Sequence, residues 1–414
     1  MSKMKTLLNP IKLLVVLLSM IGGLVFYSCA DSTLENDGNP IIYYIRNTDP
    51  ARADSLYVGA PLGNLIAIVG DNLDGTTQIM FNDQVADLNT NYITSRSILV
   101  SIPPDAPIVR NDKMILTFRN GETLEYPFKV DISAPIVASM ENEWAQEGET
   151  AVIRGNYFFE PLTVKLADGT AVTPASIGQT EITFEVPAGA PEGPITVTTN
   201  FGATESAFHF HDTRNIVLNY DDLTSTNSWR YGLFVEDDHS LDKKYVKFKG
   251  AYNAGERNEG SDGASTYESQ FWASKSGRPE KNFLSGEPGD YSLKFEAKVI
   301  GWSSSYLNFC WAPWGWADSN QELWSNTVNA RAVWGPWAEK NAPFDTKGKW
   351  ITVEIPMTEF KWAMGLTGGN VTYTEMKFDK KVTGSLSLWV LSAPGAANSP
   401  FEFYIDNIRV VPNK

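Results

Sequence analysis

From Ile41 to Asp212 apolar and polar residues alternate in short runs interrupted by Gly, Pro and Asn, and no long stretch keeps a helical period. The pattern predicts strands throughout, and it repeats. "GNLIAIVGDNLDGTTQIMFN" (residues 63–82) aligns with "GETAVIRGNYFFEPLTVKLAD" (148–168), each an alternating strand, a Gly-led turn and a second strand, with Gly70 and Gly155 at corresponding places. "ILVSIPPDAP" (98–107) and "ITFEVPAGAP" (182–191) keep nearly the same offset, so the segment holds two copies of one unit. After Thr213 the texture changes to longer alternating strands with long loops. "YSLKFEAKVIGW" (291–302), "SYLNFCW" (305–311), "GKWITVEIPMTEF" (348–360), "GSLSLWVLS" (384–392) and the terminal "SPFEFYIDNIRVVPNK" predict a large β-sandwich of the jelly-roll kind. The expected class is all-β: two small sandwiches, 41–131 and 132–212, then a larger one, 213–414.

Strand parity sorts the side chains of the last segment. Leu293, Phe295, Ala297 and Val299 share one face, with Glu296, Lys298, Ile300 and Trp302 opposite. Leu307, Phe309 and Trp311 form a second apolar face, and Leu386, Leu388 and Val390 a third, whose reverse carries Ser385, Ser387 and Trp389. Trp350 shares parity with polar residues yet is expected in a core, while parity leaves Trp362 undecided. Pro313 and Gly315 interrupt the strand that ends at Trp311, so Trp314 and Trp316 are expected on a loop. "WGPW" places Trp334 and Trp337 around a similar break.

The N-terminus reads as an address. Lys3, Lys5 and Lys12 precede an uncharged apolar run, Leu13 to Tyr27, which as a helix would span about 22 Å, short of the roughly 30 Å of a bilayer core. The run closes on "FYSCADS", which resembles a bacterial lipoprotein signal with Cys29 as the lipidated residue. Residues 1–29 are then the signal and 30–40, acidic and Pro-terminated, a flexible tether. With Cys29 acylated, Cys310 has no disulfide partner and is expected as a buried free thiol.

Composition narrows the function. A formal charge of -15 argues against nucleic acid as a partner. All but one of the 13 Trp residues lie at or after Trp229, which gives the C-terminal segment a special use for indole. An indole is a rigid platform for the C–H face of a sugar ring, and polar neighbours such as Asn329 and Arg331 hydrogen-bond its hydroxyls. The candidate glycan-binding residues are Trp302, Trp314, Trp316, Trp334, Trp337, Trp389, Asn329 and Arg331.

The repeated units resemble the immunoglobulin-like IPT/TIG family, on the strand, Gly-Asp/Asn-Leu/Tyr turn and Ala-Pro segments quoted above. The final segment, from "NIVLNYDDL" through "LKFEAKV" and "WITVEIPMTEF" to "FYIDNIRVV", resembles carbohydrate-binding domains of galactose-binding-like topology. As a whole the chain resembles the surface glycan-binding lipoproteins of bacterial polysaccharide-utilisation systems. That resemblance implies an outer-membrane, surface-exposed lipoprotein that binds a neutral plant glycan (xyloglucan, mixed-linkage β-glucan or mannan) without cleaving it and passes it to an outer-membrane importer. It assigns a spacer role to the IPT/TIG copies. Of the alternatives, a glycosidase needs a tight carboxylate pair, which is not evident in the sequence, and an adhesin would act through the IPT/TIG copies. No cofactor is implied beyond a structural calcium near Asp222 and Asp406, since such sandwiches often hold one between first and last strands. His209 and His211, spaced to chelate from one strand face, end the second copy and are expected on a solvated face.

Overall fold

Gly70 and Gly155 show why the two halves of the repeat fold alike. In this computed structural model, a β-carbon on either residue would overlap a backbone carbonyl oxygen, that of Ile41 or of Ile136. Each Gly sits beside a β-bulge in the facing strand, between Ile42 and Tyr44 in one copy and between Val137 and Ser139 in the other. Two residues on, Asn72 and Tyr157 both take a left-handed backbone, with φ of 59° and 60°, and the next side chains, Leu73 and Phe158, are buried. The repeat is thus a repeat of backbone constraint as well as of letters.

The structure describes residues 38–52, 54–221, 234–252, 268–271, 279–314, 329–367, 370–379, 382–392 and 399–414. Cys29, Asp222, Trp316 and the tether up to residue 37 lie outside the described residues. The chain divides into two compact units, one ending at Asp131 and one beginning at Ile132. The first packs a four-stranded sheet built on Ile41–Asn47 and Leu65–Asp71 with a second built on Thr76–Phe81 and Lys113–Phe118. Ile66, Ile68, Ile79, Ile98, Met114 and Leu116 lie buried in it.

The second unit begins with a sandwich of two four-stranded sheets, whose core holds Ile153, Phe158, Phe184, Ile195 and Phe208. The chain then builds two six-stranded sheets. In the inner sheet, Ser399–Pro412 lies centrally between Tyr245–Tyr252 and Tyr291–Trp302, and also pairs with Ile216–Leu218. The outer sheet runs Glu268–Phe271, Ser385–Ser392, Ser305–Ala312, Arg331–Trp334, Trp362–Thr367, Asn370–Glu375. The all-β class and the sandwich architecture are as the alternation predicted. The parity assignments hold for Leu293, Phe295, Ala297 and Val299, and for Leu307, Phe309, Trp311, Leu386, Leu388 and Val390, which meet in one core.

The far side of the inner sheet docks on the small sandwich of the same unit. Glu143, from the loop after Ile136–Met140, enters a buried network: its Oε1 accepts from Lys294 Nζ at 2.6 Å and its Oε2 from Arg409 Nη2 at 2.7 Å. Arg409 also grips Glu296 through both Nη atoms, at 2.8 and 3.0 Å. Thr352 Oγ1 donates to Glu296 and accepts from the Glu143 amide at 2.7 Å. Burial raises the Glu296 carboxyl to about 7, against the pull of Arg409. Beside the network Trp144 packs with Leu241, Tyr245, Trp350 and Tyr404. Trp350 is therefore buried at a joint between layers, outside the inter-sheet core.

Candidate functional site

Two of the predicted sugar platforms belong to the core instead. Trp302 is buried, stacks on Phe403 with centroids 4.2 Å apart and donates its indole N–H to Ser305 Oγ at 2.7 Å. A β-bulge between Val299 and Gly301 inserts one residue into the alternation and turns Trp302 to the opposite face from the one parity assigns. Trp334 ends the strand Arg331–Trp334 and pairs with Leu307, so it faces inward and makes edge contacts with Trp302 and Phe295. The strand runs through Trp334 before Gly335 breaks it. Trp302→Ala is expected to cost about 3–5 kcal/mol of stability, read as a large drop in the thermal unfolding midpoint; a midpoint within a degree of wild type would contradict the core assignment.

Trp337 and Trp314 flank opposite ends of the strand Ser305–Ala312. Trp337 donates to the Ser305 carbonyl at 2.6 Å and leans on Tyr306, while Trp314 packs half-buried against the core edge beside Gly384.

Other candidates lie on the outward side of the outer sheet. Register places Ser387, Cys310, Arg331 and Trp362 in one row across four strands. The next row holds Trp389, Asn308 and Val333. Trp389 and Arg331, both named from sequence, thus lie on one side of one sheet with Trp362, and Asn329 precedes Arg331 by two residues. Trp362 is partly exposed, with Lys361 Nζ 5.8 Å from its ring centroid. Trp389, Asn308, Asn329 and Arg331 are all buried. Arg331 Nε donates to Cys310 Sγ at 3.3 Å, which gives the free thiol a role in aiming the guanidinium. Both Arg331 Nη atoms, and both side-chain polar atoms of Asn329, have no hydrogen-bond partner among the described residues. A buried donor left unmade costs about 1–3 kcal/mol, and more when charged, which makes these atoms candidates for the acceptors of a ligand. Trp362 and Asn308 were not among the predicted site residues. The signal for Asn308 was its parity opposite Phe309; Trp362 became assignable only through its pairing with Arg331.

Asp406 is buried on the outer side of the inner sheet. Its Oδ2 and the Asn407 carboxamide have no partner among the described residues, and burial, with Asp242 nearby, holds its carboxyl well above the usual range. Unmet hard oxygens of this kind fit a calcium ion. Among the described residues, the group with ligand atoms within reach of one another is a different one, Glu192, His209 and Asp212. Glu192 already accepts from Thr213, and Asp212 from Arg214. His211 bonds the Ala145 carbonyl and stacks on Phe210, so the two histidines do not chelate together.

Residues 210–412 match the family described as the surface glycan-binding protein B xyloglucan binding domain. An IPT/TIG domain-containing protein of Bacteroides ovatus is 32% identical over 158 residues, a match covering 36% of this chain and 32% of the relative, so the chain spans about a third of that relative's length. The crystal structure of surface glycan-binding protein PbSGBP-B from Prevotella bryantii is similar at a TM-score of 0.72 and 29% identity, covering 91% of this chain and 99% of that one.

Tandem small sandwiches followed by a larger sandwich with indoles on an outward sheet face are the architecture shared with that surface glycan-binding protein. The chain is thus similar over residues 210–412 to the surface glycan-binding protein B family and, over 91% of its length, to a surface glycan-binding protein.

Proposed function

We propose that the outward face of the outer sheet binds xyloglucan, with Trp389 and Trp362 as platforms and Arg331, Asn329 and Asn308 bonding the hydroxyls. The observation that carries this is the gathering on one face of two indoles and a buried guanidinium whose Nη atoms have no partner among the described residues, in a segment matching a xyloglucan-binding family. Neutral hydroxyls suit it: they accept from the guanidinium and carboxamide without bringing charge to a chain of net charge -15. Trp314 and Trp337, at the two ends of the strand Ser305–Ala312, extend the site at its margins in this reading. Affinity electrophoresis against xyloglucan, mixed-linkage β-glucan and mannan tests it. Retardation by xyloglucan is expected, and none by any of the three would overturn it.

In the same reading Cys29 carries the lipid that anchors the chain in the outer membrane, residues 30–40 are the tether, and the two small sandwiches hold the glycan-binding domain out toward an importer. Asp406 and Asn407, with Asp222, would hold a calcium ion that ties the first strand of the last domain to its final one and supplies the counter-charge that Asp406 lacks. EDTA is expected to lower the unfolding midpoint by several degrees and added calcium to restore it; a midpoint indifferent to both would remove the ion from the account.

A further inference from the structure

The joint within the second unit leaves a cleft of about 350 Å³ between the small sandwich and the inner sheet, lined by Glu141, Asn142, Glu149, Asp238, Lys298 and Trp350, among others. That is near the lower end of small-molecule sites, roughly 300–1,000 Å³. Lys298 is more than nine-tenths buried, and its ammonium makes no hydrogen bond or ion pair with the described residues. Burial lowers its proton affinity, and Asp237, Asp238 and Glu149 act on it only through space. With its stem buried and no protein partner among the described residues, the ammonium offers its three donors to whatever occupies the cleft.

The lining selects its occupant by chemistry. Asp238 and Glu149 would repel an anion approaching Lys298, and Lys298 together with Lys349 disfavours a metal cation. A neutral polyhydroxylated ring satisfies both signs. Its hydroxyl oxygens accept from Lys298, its hydroxyl protons go to the carboxylates, and its C–H face meets the indole wall of Trp350. Trp350 is fixed for this by donating its N–H to the His239 carbonyl at 2.9 Å and by edge contact with Tyr245.

We infer that this cleft is a second carbohydrate site, separate from the sheet face, that takes a single neutral sugar or the end of a glycan chain between Trp350, Lys298 and the Asp238/Glu149 carboxylates. It uses none of the outer-sheet residues and stands or falls independently of them.

The test is a titration of the soluble chain, ¹⁵N-labelled at tryptophan, with cellobiose, followed at the Trp350 indole N–H signal, which a Trp350→Phe variant assigns. The signal is expected to shift saturably in the millimolar range. Lys298→Met should weaken that binding at least tenfold, and Trp389→Ala should leave it unchanged. Since the ammonium has no partner to lose, Lys298→Met should fold; should it fail to, Asp238→Asn, at an exposed carboxylate, takes its place with a several-fold weakening expected. No saturable shift, a shift undiminished in the variant used, or one that disappears in Trp389→Ala would each overturn the inference.

Discussion

Replacing Arg409 with Met is expected to destabilise the second unit by about 3–5 kcal/mol, the usual cost of removing one partner from a buried charge network. In thermal unfolding this is a fall on the order of 10 °C. The guanidinium is fully buried and separates two buried carboxylates, Glu143 and Glu296. Without it, Lys294 and Thr352 are left to satisfy both acids. The loss should be strongly non-additive. Changing Arg409, Glu143 and Glu296 together to Met, Leu and Leu should recover most of the stability, because the desolvation cost then disappears along with the attraction. A single Arg409→Met protein that melts with the wild type would show that the network does not hold the joint. Glycan binding by the folded fraction should persist, because the network and the outer-sheet face lie on opposite sides of the sandwich.

Arg331→Met should behave in the opposite way. Its Nη atoms have no partner among the described residues, so the change removes an uncompensated buried charge and should leave the unfolding midpoint equal to or above the wild-type value. If those donors serve the glycan, the loss of charged hydrogen bonds worth about 1.5–3 kcal/mol weakens binding by a factor on the order of 10 to 100. Lower affinity with undiminished stability is the signature of a residue kept for its ligand. Lower stability with unchanged affinity would make Arg331 structural.

The two changes probe what the sequence shows least directly. Alternation placed Leu307, Phe309, Trp311 and the Leu386, Leu388, Val390 set correctly, because within a regular strand parity is a local property. It failed at Trp302, where one bulge reverses it, and the bulge is visible only in the pairing of Val299 and Gly301 with Phe403 and Glu402. Trp334 was misplaced for a related reason: a Gly-Pro pair marks where a strand ends, but the strand still included the residue before it. The grouping of Trp389, Asn329 and Arg331 was legible as chemistry, while the sharing of a face by Trp389, Arg331 and Trp362 rests on register among strands far apart in the chain. The joint was not legible. Glu143 and Arg409 meet across 266 positions, and Trp144, which from sequence only opened a strand, packs in the layer that also walls the cleft.

The central claim is that the outer-sheet face, and not the tryptophan-rich core beneath it, is where xyloglucan binds. Calorimetric titration of the soluble chain with xyloglucan, wild type beside Trp389→Ala, tests it most directly. Trp389→Ala is expected to lose at least about 2 kcal/mol of binding free energy, as removal of a central aromatic anchor does, while the protein still unfolds cooperatively. Wild-type affinity in a folded Trp389→Ala protein would contradict it.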